Sequence, residues 1–311
     1  MEIFLLSCDK IENGGGIYKY SKENDIFVKR KYYPCDRPMY AKKCKHGLCV
    51  LLRKPFEDSI ESGYFYIDQN LQKPTETVLT KGVVACHLDI VNDDVYVVNY
   101  LSGNIVKNGM TKVQREGSSI NRTRQTEPHT HFIENTLDNR LVVCDLGTDT
   151  LAVYTHNLDL VSEAKVPQGY GIRHLVFSKD KKYIYAINEL VPSISVFIYD
   201  NGYVKYISTT EINCENKNAS GAAIRLSENG EKLFVSVREE NVICVYDVRN
   251  EKLTLSDKVN CGGDSPRDFQ LFDKILICCN EKSDNAVVFE ICNGKIKKQS
   301  EIRCNKVLCC L

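Results

Sequence analysis

The sequence predicts an all-β fold, a seven-bladed β-propeller of antiparallel four-stranded blades, and three observations predict it. One pattern runs the length of the chain seven times: an apolar strand, an anchor residue, a turn and a second apolar strand. The anchors are Ser7, Arg53, Asn99, Asp145, Asn188, Val237 and Asn280, and a β-patterned repeat of roughly 45 residues is the period of a propeller blade. Period-2 alternation dominates, as in YIYAIN and ISVFIY, and no segment carries a helical stripe. Finally, the two ends complement each other. The chain begins on an anchor strand that lacks the strand expected before it, and it ends in a spare apolar strand.

Taken in order, the first two copies are the faintest: IFLLSCD with GIYKY, and LCVLLRK with GYFYID. The clear copies follow as VYVVNYLSGNIV, LVVCDLGTDTLAVY, IYAINELVPSISVFIY, LFVSVREENVICVY and ILICCNEKSDNAVVFE. Each clear copy is preceded by another strand, read in HLDI, HFIENT, HLVF, AIRL and DFQL. Turns carry Asn-Gly or Gly-rich punctuation, as at Asn201-Gly202, Asn229-Gly230 and Asn293-Gly294. The longest polar stretch, Gln114 to Pro128, holds three arginines and no strand pattern, so it reads as a loop. Loops of that length in compact domains tend to be functional or disordered; this one runs into a histidine pair, which favours function. After AVVFEI and KKQSEI, the terminal KVLCCL supplies the strand missing at the start. Residues 1–311 therefore form one closed domain rather than the two that length alone suggests.

Composition narrows the function classes. The 41 basic and 41 acidic residues balance, so no whole-molecule field favours nucleic acid or an anionic membrane, while a local basic pocket remains compatible. The 15 cysteines are odd in number, irregularly spaced and without a Cys-x-x-Cys pair. Many sit within apolar strands, where a free thiol acts as a small hydrophobe. That usage points to a reducing compartment. The opening MEIFLLSCDK lacks a basic n-region and reads as the first strand, not a signal peptide. No apolar run approaches the ~20 residues of a membrane helix. A cytoplasmic location is expected, with no nucleic-acid and no membrane partner.

Four blocks resemble one family. Gln125-Thr-Glu-Pro-His129-Thr-His131, with Asp138-Asn139-Arg140 and Asp145-Leu-Gly147-Thr-Asp149, resembles the Q-x-x-P-H-x-H, P-D-G-R and D-L-G-x-D block of the seven-bladed propeller lactonases. Gly169-Tyr-Gly171-Ile172-Arg173-His174-Leu175-Val-Phe177, with Asn188-Glu189-Leu190, resembles their G-x-G-P-R-H-L-x-F and N-E-L. Ala222 to Arg238 resembles a third block, and Gly262-Gly-Asp-Ser-Pro266-Arg267-Asp-Phe269 the fourth, G-G-x-x-P-R-x-F. KVLCCL is similar to the family's short last strand. The resemblance spans the chain in the right order. The family includes bacterial propeller-type 6-phosphogluconolactonases and a fungal muconate-lactonizing enzyme. Ile172 replaces its proline, Val237 an asparagine and Asn139 a glycine; the first two are expected at the mouth, where they would alter substrate choice.

The residues carry a chemistry of their own. Lactone hydrolysis transfers an acyl group to water, which needs a base, donors for the developing oxyanion and cations for any substrate anion. Glu189 follows an anchor; Arg173 opens the strand before it. His129 and His131 lie two apart in the neighbouring repeat, hence on one face if extended. Arg238 and Arg267 take matching points in later repeats. The expected catalytic set is Glu189 or a histidine (His129, His131) as base, with Arg173 as clamp on the oxyanion or substrate anion. Arg238 and Arg267 are expected to hold carboxylate or phosphate by forked hydrogen bonds. His174 is expected as a further substrate-side residue, although it repeats like His87 and so also suits a structural role.

Competing readings are a structural Arg173–Glu189 pair, a blade-packing role for the histidines, and a metal held by His-x-His with Glu189, which lacks visible further ligands. The resemblance implies a sugar-acid lactone as small-molecule partner, most specifically 6-phosphogluconolactone of the pentose phosphate pathway, with no cofactor and no metal. A monomer or weak homo-oligomer is expected. The alternatives are a lactonase or cycloisomerase for another acid, and a non-catalytic binding propeller, since fold does not fix function.

Overall fold

A computed structural model describes all residues 1–311, and its strands sort into seven four-stranded antiparallel sheets. Blade 1 joins Glu2–Ser7, Gly16–Glu23 and Ile26–Pro34 to the last strand, Val307–Cys310, which pairs with the first through Leu5↔Cys310 and Leu6↔Cys309. The spare strand thus closes the ring. Blades 2 to 7 span 38–79, 85–114, 130–165, 172–211, 220–260 and 266–303. The only helix is a three-residue 3-10 turn, Ile11–Asn13, so no helix is long enough to cross a membrane.

Burial follows strand position. Anchor strands such as Gly47–Leu52 are buried throughout, whereas outer strands such as Lys295–Arg303 alternate with exposed charges. The core lies between blades. One cluster joins Phe132, Val142 and Leu151 of blade 4 to Phe177, Ala186 and Phe197 of blade 5. Ile172 belongs to that cluster and Val237 to the next, both wholly buried. These two departures from the family pattern therefore repack blade contacts and do not face the mouth, because their side chains fall on the core side of their strands.

Register fixes the repeat phase. The innermost strand of each blade opens opposite an anchor: Ala85↔Asn99, Thr130↔Asp145, Ile172↔Asn188, Gly221↔Val237 and Pro266↔Asn280. In blade 2 the matching pair is Pro38↔Leu52. The anchor there is Leu52, and Arg53 stands one residue past it. The polar anchors are buried and hold the adjoining hairpin. Asn99 donates to the Asn104 amide oxygen at 2.8 Å, and Asn188 donates to the hydroxyls of Ser193 and Ser195.

Immediately after each of these pairs, in all seven blades, the inner strand carries a β-bulge. A bulge re-aims one side chain. Repeated sevenfold, it turns a ring of side chains toward one end of the channel.

Candidate active site

Two rings of equivalent positions build the mouth. The bulge ring contributes Met39, Cys86, His131, Arg173 and Arg267. The ring one residue past the anchor contributes Arg53, Tyr100, Glu189 and Arg238. Except for Arg173, all of these line one cavity of about 360 Å³, together with Arg124 from the 115–129 segment. The size suits a small metabolite. Its wall carries four arginines and one glutamate.

Glu189 is the centre of this charge. Its backbone is pinned from both sides: its N–H donates to the Gly171 carbonyl at 2.7 Å, and its carbonyl accepts from Gly221 N–H at 3.1 Å. Gly171 has φ +67°, and a side chain at Gly221 would run into the Asn188 carbonyl, so both positions require glycine. The carboxylate is 4% exposed. Oε2 accepts from Arg173 Nε at 2.9 Å and lies 3.2 Å from Arg238 Nη2, while Oε1 accepts from Arg124 Nη2 at 2.7 Å. Burial alone would raise the carboxyl pKa, but the Arg238, Arg173 and Arg124 guanidiniums outweigh it and hold the group well below the usual carboxylate range.

Arg173 lies just beneath the cavity. Nε is taken by Glu189, and Nη1 donates to the Ala222 carbonyl at 2.6 Å and to Nε2 of His174 at 3.1 Å. Burial, partly offset by Glu189, brings its pKa down to about 10, so it stays charged at neutral pH. His131 reaches the cavity. Burial, then Arg173, push it well below the ordinary histidine value, and its Nδ1 has no hydrogen-bond partner. The ring therefore stays neutral and is a poor proton acceptor, which leaves Glu189 as the base of the pair. Arg267 pairs with Glu281 at 3.3 Å. Arg53 forms no ion pair.

The structure thus brings together Glu189, His131, Arg238 and Arg267, with Arg173 behind them. It sets two other candidates apart. His129 does not share a face with His131, because the bulge at 130–132 breaks the alternation. Its ring instead stacks on Tyr100 at 4.4 Å, with Nδ1 donating to the Tyr100 carbonyl at 2.9 Å. His174 stands one position below the bulge, in an aromatic plug with His87 and Phe132, and does not line the cavity.

Sequence reasoning missed Arg53, Tyr100 and Arg124 as site residues. The first two share the phase of Glu189, one past the anchor: a correctly placed Leu52 anchor would have found Arg53, and Tyr100 directly follows the Asn99 anchor. Arg124 has no such signal beyond its long polar loop. No three His, Cys, Asp or Glu side chains come close enough together to hold a metal ion.

The sequence model described as Lactonase, 7-bladed beta-propeller, matches residues 8–311. This chain belongs to the propeller lactonase family. Among relatives, an uncharacterised Lactococcus lactis protein is 31% identical over 68% of this lactonase-family chain and 69% of its own. Two solved structures share the fold. A Bacteroides fragilis protein described as a candidate 6-phosphogluconolactonase has TM-score 0.89, 24% identity, and coverage of 100% and 97% of the two chains. The periplasmic gluconolactonase PpgL of Pseudomonas aeruginosa has TM-score 0.88, 20% identity, and coverage of 100% and 98%.

Proposed function

We propose that this protein hydrolyses a sugar-acid lactone bearing a second anionic group, in the first place 6-phosphogluconolactone to 6-phosphogluconate, in the cytoplasm. The observation that carries the reading is the cavity itself, in which four arginines face one carboxylate and one neutral histidine. Family membership and the fold shared with the B. fragilis protein add support. Water attacks the lactone carbonyl and passes a proton to Glu189, while neutral His131 lines the cavity beside it. Arg238 faces the developing oxyanion. The ring C–O bond breaks, the ring oxygen takes the proton from Glu189, and the new carboxylic acid ionises to solvent. Arg173 acts by holding Glu189, since its Nε and Nη1 are already committed. Arg53 and Arg267 receive the distal anion.

The test is a rate assay with freshly made 6-phosphogluconolactone beside gluconolactone, with spontaneous hydrolysis subtracted. Acceleration of the phosphorylated lactone supports the proposal. The fold shared with PpgL gives the unphosphorylated lactone its place as the second arm, and no acceleration of either would favour a binding propeller. Activity is expected to survive exhaustive treatment with a chelator; loss restored by one divalent ion would overturn the metal-free mechanism.

A further inference from the structure

The two oxygens of Glu189 are not held alike. Oε2 faces Arg173 and Arg238, both carried by strands (Ile172–Phe177 and Lys232–Arg238) and with side chains 3% and 13% exposed. Oε1 accepts from Arg124 alone, whose side chain is 42% exposed and comes from an inter-blade segment. The same Nη2 also donates to the Tyr100 hydroxyl at 2.9 Å. Arg124 therefore occupies the cavity side of the carboxylate, where water would have to stand.

The backbone beneath Arg124 is fixed. Its N–H donates to Asn121 Oδ1 at 3.1 Å. The next residue, Gln125, is wholly buried and donates through Nε2 to the Leu146 carbonyl and Asp149 Oδ1, both at 2.8 Å. A change of partner by Arg124 then needs only side-chain rotation, which is fast for a part-exposed residue. Such a rotation would have a destination in the same cavity, where a bound anion would sit among Arg53, Arg238 and Arg267.

We propose that Arg124 is a substrate-gated latch on Glu189: the anionic group of an entering substrate draws the guanidinium off Oε1, and only then can Oε1 take the proton of the attacking water. This rests on the lactonase reading of the site. The latch lets binding energy from a non-reacting group act on the chemical step. A lactone without that group leaves Glu189 covered by three guanidiniums and turns over slowly, even when it binds.

The experiment compares wild type, Arg124→Gln and Arg124→Lys in kcat and KM for 6-phosphogluconolactone and for gluconolactone, and titrates inorganic phosphate into each resting protein by calorimetry. In Arg124→Gln, kcat/KM for the phosphorylated lactone should fall about tenfold or more, while kcat for the neutral lactone rises, so discrimination collapses. Phosphate affinity should weaken about tenfold, and Arg124→Lys should recover part of it. With Arg173 and Arg238 still facing Glu189 but one cation gone, the acid limb for the neutral lactone should move to higher pH. An equal loss on both lactones, an unchanged kcat for the neutral one, or phosphate affinity within about twofold of wild type overturns the latch. If wild type accelerates neither lactone, the lactonase reading falls separately. The phosphate titration then decides whether an anion engages Arg124.

Discussion

The two ends of the channel are built from the same inner strands and differ in how their charges are matched. At the mouth, three guanidiniums converge on the single carboxylate of Glu189, and Arg53 adds an unpaired cation across the channel from it. Three residues further along those strands, at the opposite end, stand Lys42, Asp89, Glu134, Arg225 and Gln270. There the fixed charges pair off, Lys42 with Asp89, and Arg225 with Asp268 at 2.8 Å and with the Gln270 amide oxygen at 3.0 Å, while the remaining carboxyl, Glu134, is pushed by burial toward its uncharged form. Asp89 also accepts from Asn135 N–H at 2.7 Å. Matched charges tie blades together. Unmatched cations leave a field that an anion would satisfy. The comparison teaches that charge alone does not mark a site; the surplus does.

The largest effect should follow from breaking the mouth. Glu189→Gln and Arg173→Ala should each slow lactone hydrolysis by about a hundredfold or more, with the double variant far from additive. Both also disturb a buried ion pair, for which removing one partner costs about 3–5 kcal/mol, so melting curves must accompany the kinetics. Because the folded pKa of Glu189 is depressed, its contribution to stability is complete above its unfolded value. It is lost as pH falls through the folded one. Wild type should therefore lose stability below about pH 4.5 more steeply than Glu189→Gln does. Near-native turnover in both variants at unchanged melting temperature would reject the catalytic assignment.

A second experiment sets the two ends against each other. Arg53→Ala should raise KM for the phosphorylated lactone about tenfold, with little change in kcat or melting temperature, because that contact exists in ground and transition states alike. Arg225→Met should do the reverse, lowering stability by about 1–3 kcal/mol with kinetics intact. If Arg225→Met raises KM as strongly as Arg53→Ala, the lower end belongs to the site and the contrast fails.

The smallest expected effect concerns Glu134 at the lower end, whose carboxyl is pushed up to about 7 by burial. A carboxyl raised on folding binds its proton more tightly in the native state, so stability falls as pH rises from the unfolded value toward 7. Glu134→Gln should therefore raise the melting temperature at pH 8 and leave it nearly unchanged at pH 4. Equal shifts at both pH values would show that the carboxylate is compensated.

How much of this was legible in the chain depends on how local each feature is. Strand alternation, the anchor repeat and the spare terminal strand are written in consecutive residues, so the seven blades and their closure at Val307–Cys310 could be read directly. Equivalent phase likewise placed Glu189, Arg173, Arg238 and Arg267 at one end. The tertiary structure decided the rest. Bulges that no composition announces turned His131 into the cavity and left His129 stacked on Tyr100. They also put Arg173 behind Glu189 rather than in front of it. Ile172 and Val237, read as mouth residues, fell into the inter-blade core because facing is settled by register and by the neighbouring blade. Arg124 meets Glu189 across 65 positions of chain through a loop without periodicity. Repeats fix where a residue lies along its own blade, because that is a matter of counting. Which side chains meet across the channel depends on how seven twisted sheets pack, and that geometry is specified by no single segment.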